Sequence, residues 1–220
     1  MLWLSAAGGR RLSGGVGSGS MRALYEAVWA DAPAVTPWAW ERRRALLLGE
    51  ARGGERVLDL GCGAGAFTAA LLAHGCDVVG VDIAERALER ARTAAPGADL
   101  RRIDDDGGIP LGHADVDLVW CSEVLEHVPD AAGLLAEVRR VLRPHGRLLL
   151  TTPAHGPLRR VLIAALRFDA HFDPDGEHVR FYTARSLRTS LERAGLVVAR
   201  LETVGGPPLL RETLVARATR

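Results

Sequence analysis

Two carboxylates and a run of glycines stand at a spacing that suits the binding of a nucleoside. The segment VLDLGCGAG places Asp59 just before Gly61, Gly63 and Gly65. Glycines let the backbone turn sharply and let a ligand approach it closely. Asp82 follows Gly61 by 21 residues, at the end of the next apolar stretch. A carboxylate at that place can accept both hydrogen bonds of a ribose diol.

The glycine run also fits the GxGxx(G/A) pattern of dinucleotide-binding proteins, with Ala66 in the last place. Asp59 favours another ligand, because a carboxylate beside the turn repels a pyrophosphate and attracts an ammonium group. S-adenosylmethionine (SAM) carries an ammonium group and a ribose and has no phosphate. A nicotinamide-dependent oxidoreductase is therefore an alternative, but Asp59 disfavours it because the nicotinamide cofactor carries a pyrophosphate.

The elements that must position these residues alternate between strand and helix. Five apolar strands are predicted, at 56–60, 77–81, 99–103, 116–121 and 147–152. Strands that are apolar through their centres are typical of a parallel sheet covered by helices on both faces. Two further strands, 196–204 and 210–218, are joined by Gly-Gly-Pro-Pro, and such a tight connection makes two strands antiparallel.

Helices are predicted before, between and after these strands. The first covers 22–29, and Thr36 with Pro37 predicts the N-cap and first turn of a second helix that ends near Glu50. Asp130 is expected to cap the helix before the fifth strand, and Thr183 the helix after the segment 154–182. A further helix is predicted over 158–168, inside that segment.

Composition bounds the class of protein. The net charge is +1, and the longest apolar run falls far short of the roughly 20 residues of a membrane helix, so neither a nucleic-acid nor a membrane partner is expected. All 28 basic residues are Arg, which excludes lysine Schiff-base chemistry. The three cysteines, without a CxxC pair, indicate a reducing, cytoplasmic compartment and argue against structural zinc.

Four segments, in this order, resemble the class I SAM-dependent methyltransferases, in particular the small-molecule group of the type 11 kind: VLDLGCGAG, VVGVDIAERALERAR, CSEVLEHVPD and RVLRPHGRLLLTTP. The resemblance runs from about residue 54 to 196. It implies a Rossmann-like three-layer α/β sandwich with a seven-stranded, mostly parallel sheet of order 3-2-1-4-5-7-6, strand 7 being antiparallel. It also implies SAM as the cofactor.

The resemblance assigns cofactor contacts residue by residue. The positions that match the family's motifs are Asp59, Gly61, Gly63, Gly65, Asp82, Ile83, Asp105, Cys121 and Ser122. Asp82 matches the ribose-binding acid, and Ile83 the apolar residue under the adenine. Asp105 matches the acid near the adenine amino group, with Asp104 and Asp106 as close rivals in the run IDDDGGIPL.

Two of these positions, Cys121 and Ser122, match the turn after the fourth strand, whose backbone meets the methionine moiety of the cofactor. The chain departs from the family pattern at His145, in RPHG where RPGG is usual. That position precedes the fifth strand, away from the cofactor, so little effect on cofactor binding is expected.

Histidines near this turn could act as a base. A hydroxyl acceptor reacts faster when its proton is removed as the new bond forms, and a histidine with an ordinary pKa of about 6.5 suits that role at neutral pH. His127 follows the fourth strand in SEVLEHV, and His178 lies in the segment 154–182. We predict His127 first and His178 second as general base or as the group that orients the acceptor, with a structural role as the alternative for each.

The segment 154–182 also contains the run HFDPDGEH, whose His171, Asp173, Asp175 and His178 could bind a metal by composition. Their spacing matches no strong metal motif, so no metal site is predicted.

The sequence therefore predicts a SAM-dependent methyltransferase that acts on a small-molecule acceptor, most simply at a hydroxyl oxygen. Residues 21–220 form one domain in this interpretation, with 21–50 and 154–182 as the substrate cap. Residues 1–20, with six Gly and four Ser, are a flexible tail or a start assigned too early. There are two alternatives: N-methylation of a small molecule, RNA or protein, and SAM binding without catalysis. N-methylation is less favoured, because the chain reads CSEV at the place of the NPPY-like tetrapeptide that is typical of amine methylation.

Overall fold

The computed structural model describes residues 21–31, 36–104, 107–166, 168–172, 179–207 and 210–220. The predicted site residues Asp105 and His178 lie outside the described residues, as does the predicted tail 1–20.

A seven-stranded sheet forms the centre of the molecule. Its strands are β1 Arg56–Leu60, β2 Asp77–Asp82, β3 Asp99–Arg102, β4 Val116–Ser122, β5 Leu142–Pro153, β6 Val197–Val204 and β7 Thr213–Thr219. Their spatial order is β3-β2-β1-β4-β5-β7-β6. Strands β1 to β5 pair in parallel, and β7 is antiparallel to both β5 and β6. The predicted order and the direction of strand 7 are confirmed.

Eight helices are described, namely α1 Met21–Asp31, α2 Trp40–Glu50, α3 Ala66–Ala73, α4 Glu85–Ala94, α5 Ala131–Val141, α6 Pro157–Leu166, α7 Phe168–His171 and α8 Ala184–Arg193. Side chains of α2 and α3 pack with one set of strand residues, and side chains of α5 and α8 with another. Within β1, Val57 joins the first set, and Leu58 and Leu60 join the second. This alternation along a strand places the two helix layers on opposite faces, which makes the three-layer sandwich.

Two predicted element boundaries, the start of the second helix and the start of the fifth strand, differ from the structure. The predicted cap by Thr36 and Pro37 is wrong, because α2 begins at Trp40 after Ala39, whose φ is 49° and which forms no side-chain cap. Trp40 packs on Phe67 in α3 with ring centroids 4.9 Å apart, a tertiary contact that the local capping rules do not include. The fifth strand begins earlier than predicted, since Leu142 already pairs with Val116.

The parallel strands bring the predicted cofactor residues to one edge of the sheet. Strand β1 runs into Gly61, β2 ends at Asp82 and β4 ends at Ser122. Because β2, β1 and β4 are neighbours, their carboxyl ends meet at the place where such sheets bind ligands.

Candidate cofactor and acceptor site

The turn after β1 can be built only from small residues with left-handed backbones. Gly61 has a φ of 74° and Gly65 one of 83°. A Cβ atom on Gly61 would clash with Cγ2 of Val124, and one on Gly65 would lie 2.9 Å from Cα of Ala91. The turn therefore places its backbone close to the loop after β4 and to α4, as a cofactor-binding turn requires.

Asp82 connects this turn to the start of α4. Its carboxylate accepts hydrogen bonds from the backbone N–H of Gly63 at 2.9 Å and of Ala84 at 3.0 Å. Burial raises the pKa of Asp82, while its backbone hydrogen bonds act in the opposite direction. Half-buried Ile83 follows directly, at the place predicted for the adenine.

Asp59 lies deeper than the other predicted cofactor residues. It is 2% exposed, and the Oγ1 atom of Thr68 donates a hydrogen bond of 2.6 Å to its carboxylate. Burial is the largest cause that raises the pKa of Asp59, to about 7, and the nearby Asp82 adds to it. A cation at the turn would favour the ionised form of this carboxylate.

The turn after β4 is held by a residue that the sequence interpretation missed. Arg43 of α2 is buried, and its Nε and Nη2 atoms donate to the Ser122 hydroxyl at 2.9 and 2.5 Å. The same guanidinium lies 5.0 Å from the ring centroid of Phe67. The spacing of Arg43 from Trp40 and Leu47, three and four residues away, was the sequence signal that this arginine faces inward. Cys121 has its side chain in the core, so only its backbone can face a ligand.

A hydrogen-bonded chain continues from Ser122 into the loop. The Ser122 and Thr151 hydroxyls are 2.7 Å apart, and Thr151 donates to Glu123 at 2.8 Å. Glu123 has a φ of 57°, an uncommon backbone for a glutamate. Together with Arg43 this chain runs from a buried cation to a carboxylate and fixes the conformation of the loop after β4.

Glu126 and His127, on the same loop, bring a buried carboxylate beside an imidazole. Glu126 is 1% exposed, and Thr152 donates a hydrogen bond of 2.9 Å to its Oε2 atom. Its Oε1 atom is buried, has no hydrogen-bond partner among the residues that the structure describes, and lies 4.0 Å from Nε2 of His127. Burial, followed by the nearby Glu123, raises the pKa of Glu126 to about 8. The structure thus places His127 just beyond Ser122, where the sequence predicted it, and adds a carboxylate that the sequence interpretation did not single out.

Helix α1 lies across this edge of the sheet. The ring of Trp29 is 3.1 Å from the place where a Cβ atom of Gly63 would be. Three residues earlier in the helix, the carboxylate of Glu26 accepts a hydrogen bond of 2.6 Å from the backbone N–H of Glu85, in the first turn of α4. Arg22 pairs with Asp104 at 2.9 Å, so this rival of Asp105 is bound to α1.

The segment 154–182 is attached to the same loop at its end. The backbone N–H groups of Val179 and Arg180 both donate to the Glu126 carbonyl at 3.0 Å. Nearer its start, His155 lies 3.1 Å from His171 between their Nε2 atoms, and burial followed by His171 lowers the pKa of His155 to about 4. Within the described residues no cluster of three or more potential metal ligands is found.

The chain is similar to known methyltransferases. Residues 28–201 match the family model described as Methyltransferase domain. The ubiquinone biosynthesis O-methyltransferase of Aeromonas salmonicida is 31% identical over 163 residues, which cover 71% of this chain and 68% of that protein. The protein of the same name from Aromatoleum aromaticum is 32% identical, with 71% and 70% covered.

Solved structures share the fold. A SAM-dependent methyltransferase from Mesorhizobium loti superimposes with a TM-score of 0.65 at 25% identity, covering 82% of this chain and 97% of that one. The [4+2]-cyclase SpnF gives a TM-score of 0.67 at 18% identity, covering 86% and 84%, and shows the fold alone.

Proposed function

The chain belongs to the class I SAM-dependent methyltransferases, and from this premise we propose that it methylates a hydroxyl oxygen of a small-molecule acceptor. The observation that carries the proposal is the pair formed by His127 and Glu126 at the carboxyl end of β4, beside the turn at Ser122. A base in this position suits an acceptor that must lose a proton. Two relatives at 31% and 32% identity are named O-methyltransferases, which supports oxygen as the acceptor atom.

The residues at the sheet edge fit the cofactor. In the proposed complex Asp82 accepts hydrogen bonds from the ribose diol, the backbone of the glycine turn contacts the methionyl part, and Ile83 lies under the adenine. In this complex the carboxylate of the methionine moiety lies nearest the cation Arg43, and its ammonium group lies nearest the acid Asp59. When bound, SAM supplies a methyl group that its sulfonium already activates.

The chain then has to align the acceptor, exclude water and take up a proton. We assign the proton to His127, whose Nε2 atom lies 4.0 Å from Oε1 of Glu126. A positive charge on this imidazole would favour the ionised form of the Glu126 carboxyl, which would in turn stabilise the imidazolium. His178, which lies outside the described residues, is the second candidate for this role. Alignment and water exclusion are assigned to the residues 21–50 and 154–182, which contact the loop of Glu126 or the glycine turn.

The experiment is an acceptor screen with the purified chain and SAM, measuring the release of S-adenosylhomocysteine. Phenols and catechols are compared with amines of similar size, and the His127→Ala variant is run beside the wild type. We expect turnover with hydroxyl acceptors and a large loss in the variant. Methylation of amines alone would show that nitrogen is the acceptor atom.

A further inference from the structure

One arginine just before α8 contacts the loop that carries His127 at three carbonyl groups. The backbone N–H of Arg180 donates to the carbonyl of Glu126 at 3.0 Å, and its Nε atom donates to the carbonyl of Val128 at 2.9 Å. The Nη2 atom of the same guanidinium donates to the carbonyl of Pro129. These carbonyls stand on both sides of His127 in the chain, so Arg180 brackets the residue that is proposed as the base.

The loop between β4 and α5 is held at its two ends by other contacts. At its start Glu123 is hydrogen-bonded to β5, and at its end the side chain of Asp130 caps α5. Between these ends one backbone hydrogen bond closes a turn within the loop, from the His127 N–H to the Val124 carbonyl at 3.0 Å. The carbonyls that Arg180 binds receive their donors from outside the loop, so the backbone around His127 depends on this arginine.

Arg180 is itself attached to the rigid part of the domain. The preceding residue, Val179, also donates its N–H to the Glu126 carbonyl at 3.0 Å. Two residues after Arg180, the side chain of Tyr182 is buried in the core, and Thr183 caps α8. The planar guanidinium presents its N–H groups in a fixed fork, so an arginine anchored in this way holds several carbonyls in one geometry.

We propose that Arg180 is a positioning residue for methyl transfer, which acts by fixing the imidazole of His127 relative to the cofactor edge of the sheet. The inference rests on the proposed function, because Arg180 acts through the proposed base. The guanidinium stays protonated and has no acceptor atom, so it takes no proton from the acceptor itself. Its contribution is the geometry of the loop, and a small displacement of a catalytic group is enough to slow a reaction strongly.

The position of Arg180 in the chain gives this role a further consequence. Arg180 belongs to the segment 154–182, to which alignment of the acceptor is assigned. The same segment therefore places the acceptor and holds the loop of the base, so the two reacting groups are aligned by one part of the chain.

The test is a double-mutant cycle between Arg180 and His127, with the acceptor that the screen identifies, whether its methylated atom is oxygen or nitrogen. The variants are R180A, H127A and R180A/H127A, together with R180K alone and combined with H127A. Values of kcat and KM for the acceptor, SAM affinity by calorimetry and thermal unfolding are measured for each variant.

Arg139 provides the matched control R139A. This arginine of α5 also donates from its Nε atom to a carbonyl distant in sequence, that of Gly195 at 3.2 Å. Its contact joins α5 to the turn after α8 and leaves the loop of His127 untouched, so R139A should turn over at the wild-type rate.

We expect R180A to lower kcat by about 10- to 100-fold, since the base is misplaced, and to leave SAM affinity almost unchanged. In the H127A background the same change should lower kcat by less than about twofold, because the group on which Arg180 acts is already absent. R180K keeps the charge and offers a point donor in place of the fork, so it should lower kcat by about tenfold and be non-additive with H127A in the same way.

Wild-type turnover by R180A, or losses that add in full in the double variant, would overturn the role of Arg180 and leave His127 as the base. Normal turnover by H127A would overturn the base and the role of Arg180 together. Methylation of amines alone would contradict the hydroxyl acceptor, and the cycle would still decide the role of Arg180. If R180A is unfolded at the assay temperature, the cycle with R180K gives the decision.

Discussion

The Oδ2 atom of Asp82 accepts a hydrogen bond of 2.9 Å from the backbone N–H of Gly63 and so holds the backbone of the cofactor turn in place. A residue expected to bind the ribose therefore also fixes the conformation of the turn beside it. Binding and preorganisation depend on one side chain at this edge of the sheet.

We expect Asp82→Ala to weaken SAM and S-adenosylhomocysteine binding by about ten- to hundredfold, or roughly 1.5–3 kcal/mol, since the diol loses its acceptor. Isothermal titration calorimetry measures this loss directly. Asp77→Ala at the exposed start of the same strand is the matched control and should bind both normally. Normal SAM binding by Asp82→Ala would contradict this assignment of Asp82.

Replacing His127 by Ala should lower the rate of methyl transfer by on the order of 10²–10⁴ and leave SAM affinity almost unchanged, because the lost group acts on the acceptor proton. His178→Ala is measured in the same way. The exposed His113, paired with Arg220 near the end of the chain, serves as the control position. If His127→Ala and His178→Ala both turn over normally, neither histidine is the base.

Glu126 should make stability depend on pH. Its pKa is raised from 4.5 to about 8 in the folded chain, so folding favours the protonated carboxyl. The stability that this provides is complete below about pH 4.5 and is lost as the pH rises through 8. Glu126→Gln, which stays neutral, should therefore gain stability relative to the wild type as the pH rises from 5 to 9, by on the order of 2–4 kcal/mol. Thermal unfolding of both proteins across this range is the measurement, and a constant difference would contradict the prediction.

His145 adopts a left-handed backbone with a φ of 66° at an exposed position near the start of β5, where the pairing of β5 with β4 shifts its register. Glycine adopts this conformation without the clash of a Cβ atom, so His145→Gly should stabilise the domain by about 0.5–1 kcal/mol after the extra flexibility of the unfolded chain is subtracted. Chemical denaturation measures the change. Gly146→Ala next to it should destabilise, since its Cβ atom would lie 2.9 Å from the Arg143 carbonyl oxygen.

Exchange of residues 154–182 for those of a relative should change acceptor preference and leave SAM affinity nearly unaltered. The segment contacts the loop of Glu126, whereas the cofactor edge is built from β1, β2 and the start of α4. Acceptor profiles and calorimetry on the exchanged chain separate the two effects. Loss of SAM binding with an unchanged acceptor profile would contradict the cap assignment.

The parts of the fold that depend on local rules were predictable from sequence. The side chain of Asp130 caps α5 through the Gly133 N–H at 2.9 Å, and Thr183 begins α8 in a reciprocal pair with Ser186. Strand order and the glycine turn follow from the motifs that the family shares.

The parts that depend on distant contacts were not predictable in this way. Arg43 is one of three consecutive arginines, and its spacing from Trp40 and Leu47 indicates only that it faces inward. Its partner, Ser122, is 79 residues away and cannot be found from that spacing. Glu126 likewise looks like an ordinary loop acid until Thr152 and the cap segment enclose it.

Helix α1 has a consequence for the order of events in turnover. It packs Trp29 against Gly63, and it brings the ring of Tyr25 to a centroid distance of 6.1 Å from that of His127. One helix thus covers both the cofactor turn and His127, the proposed base, so a cofactor at the turn should be in place before the acceptor side is covered. We expect a compulsory sequence in which SAM binds first and S-adenosylhomocysteine leaves last. Product-inhibition kinetics distinguish this sequence from random binding, because S-adenosylhomocysteine should compete with SAM and not with the acceptor.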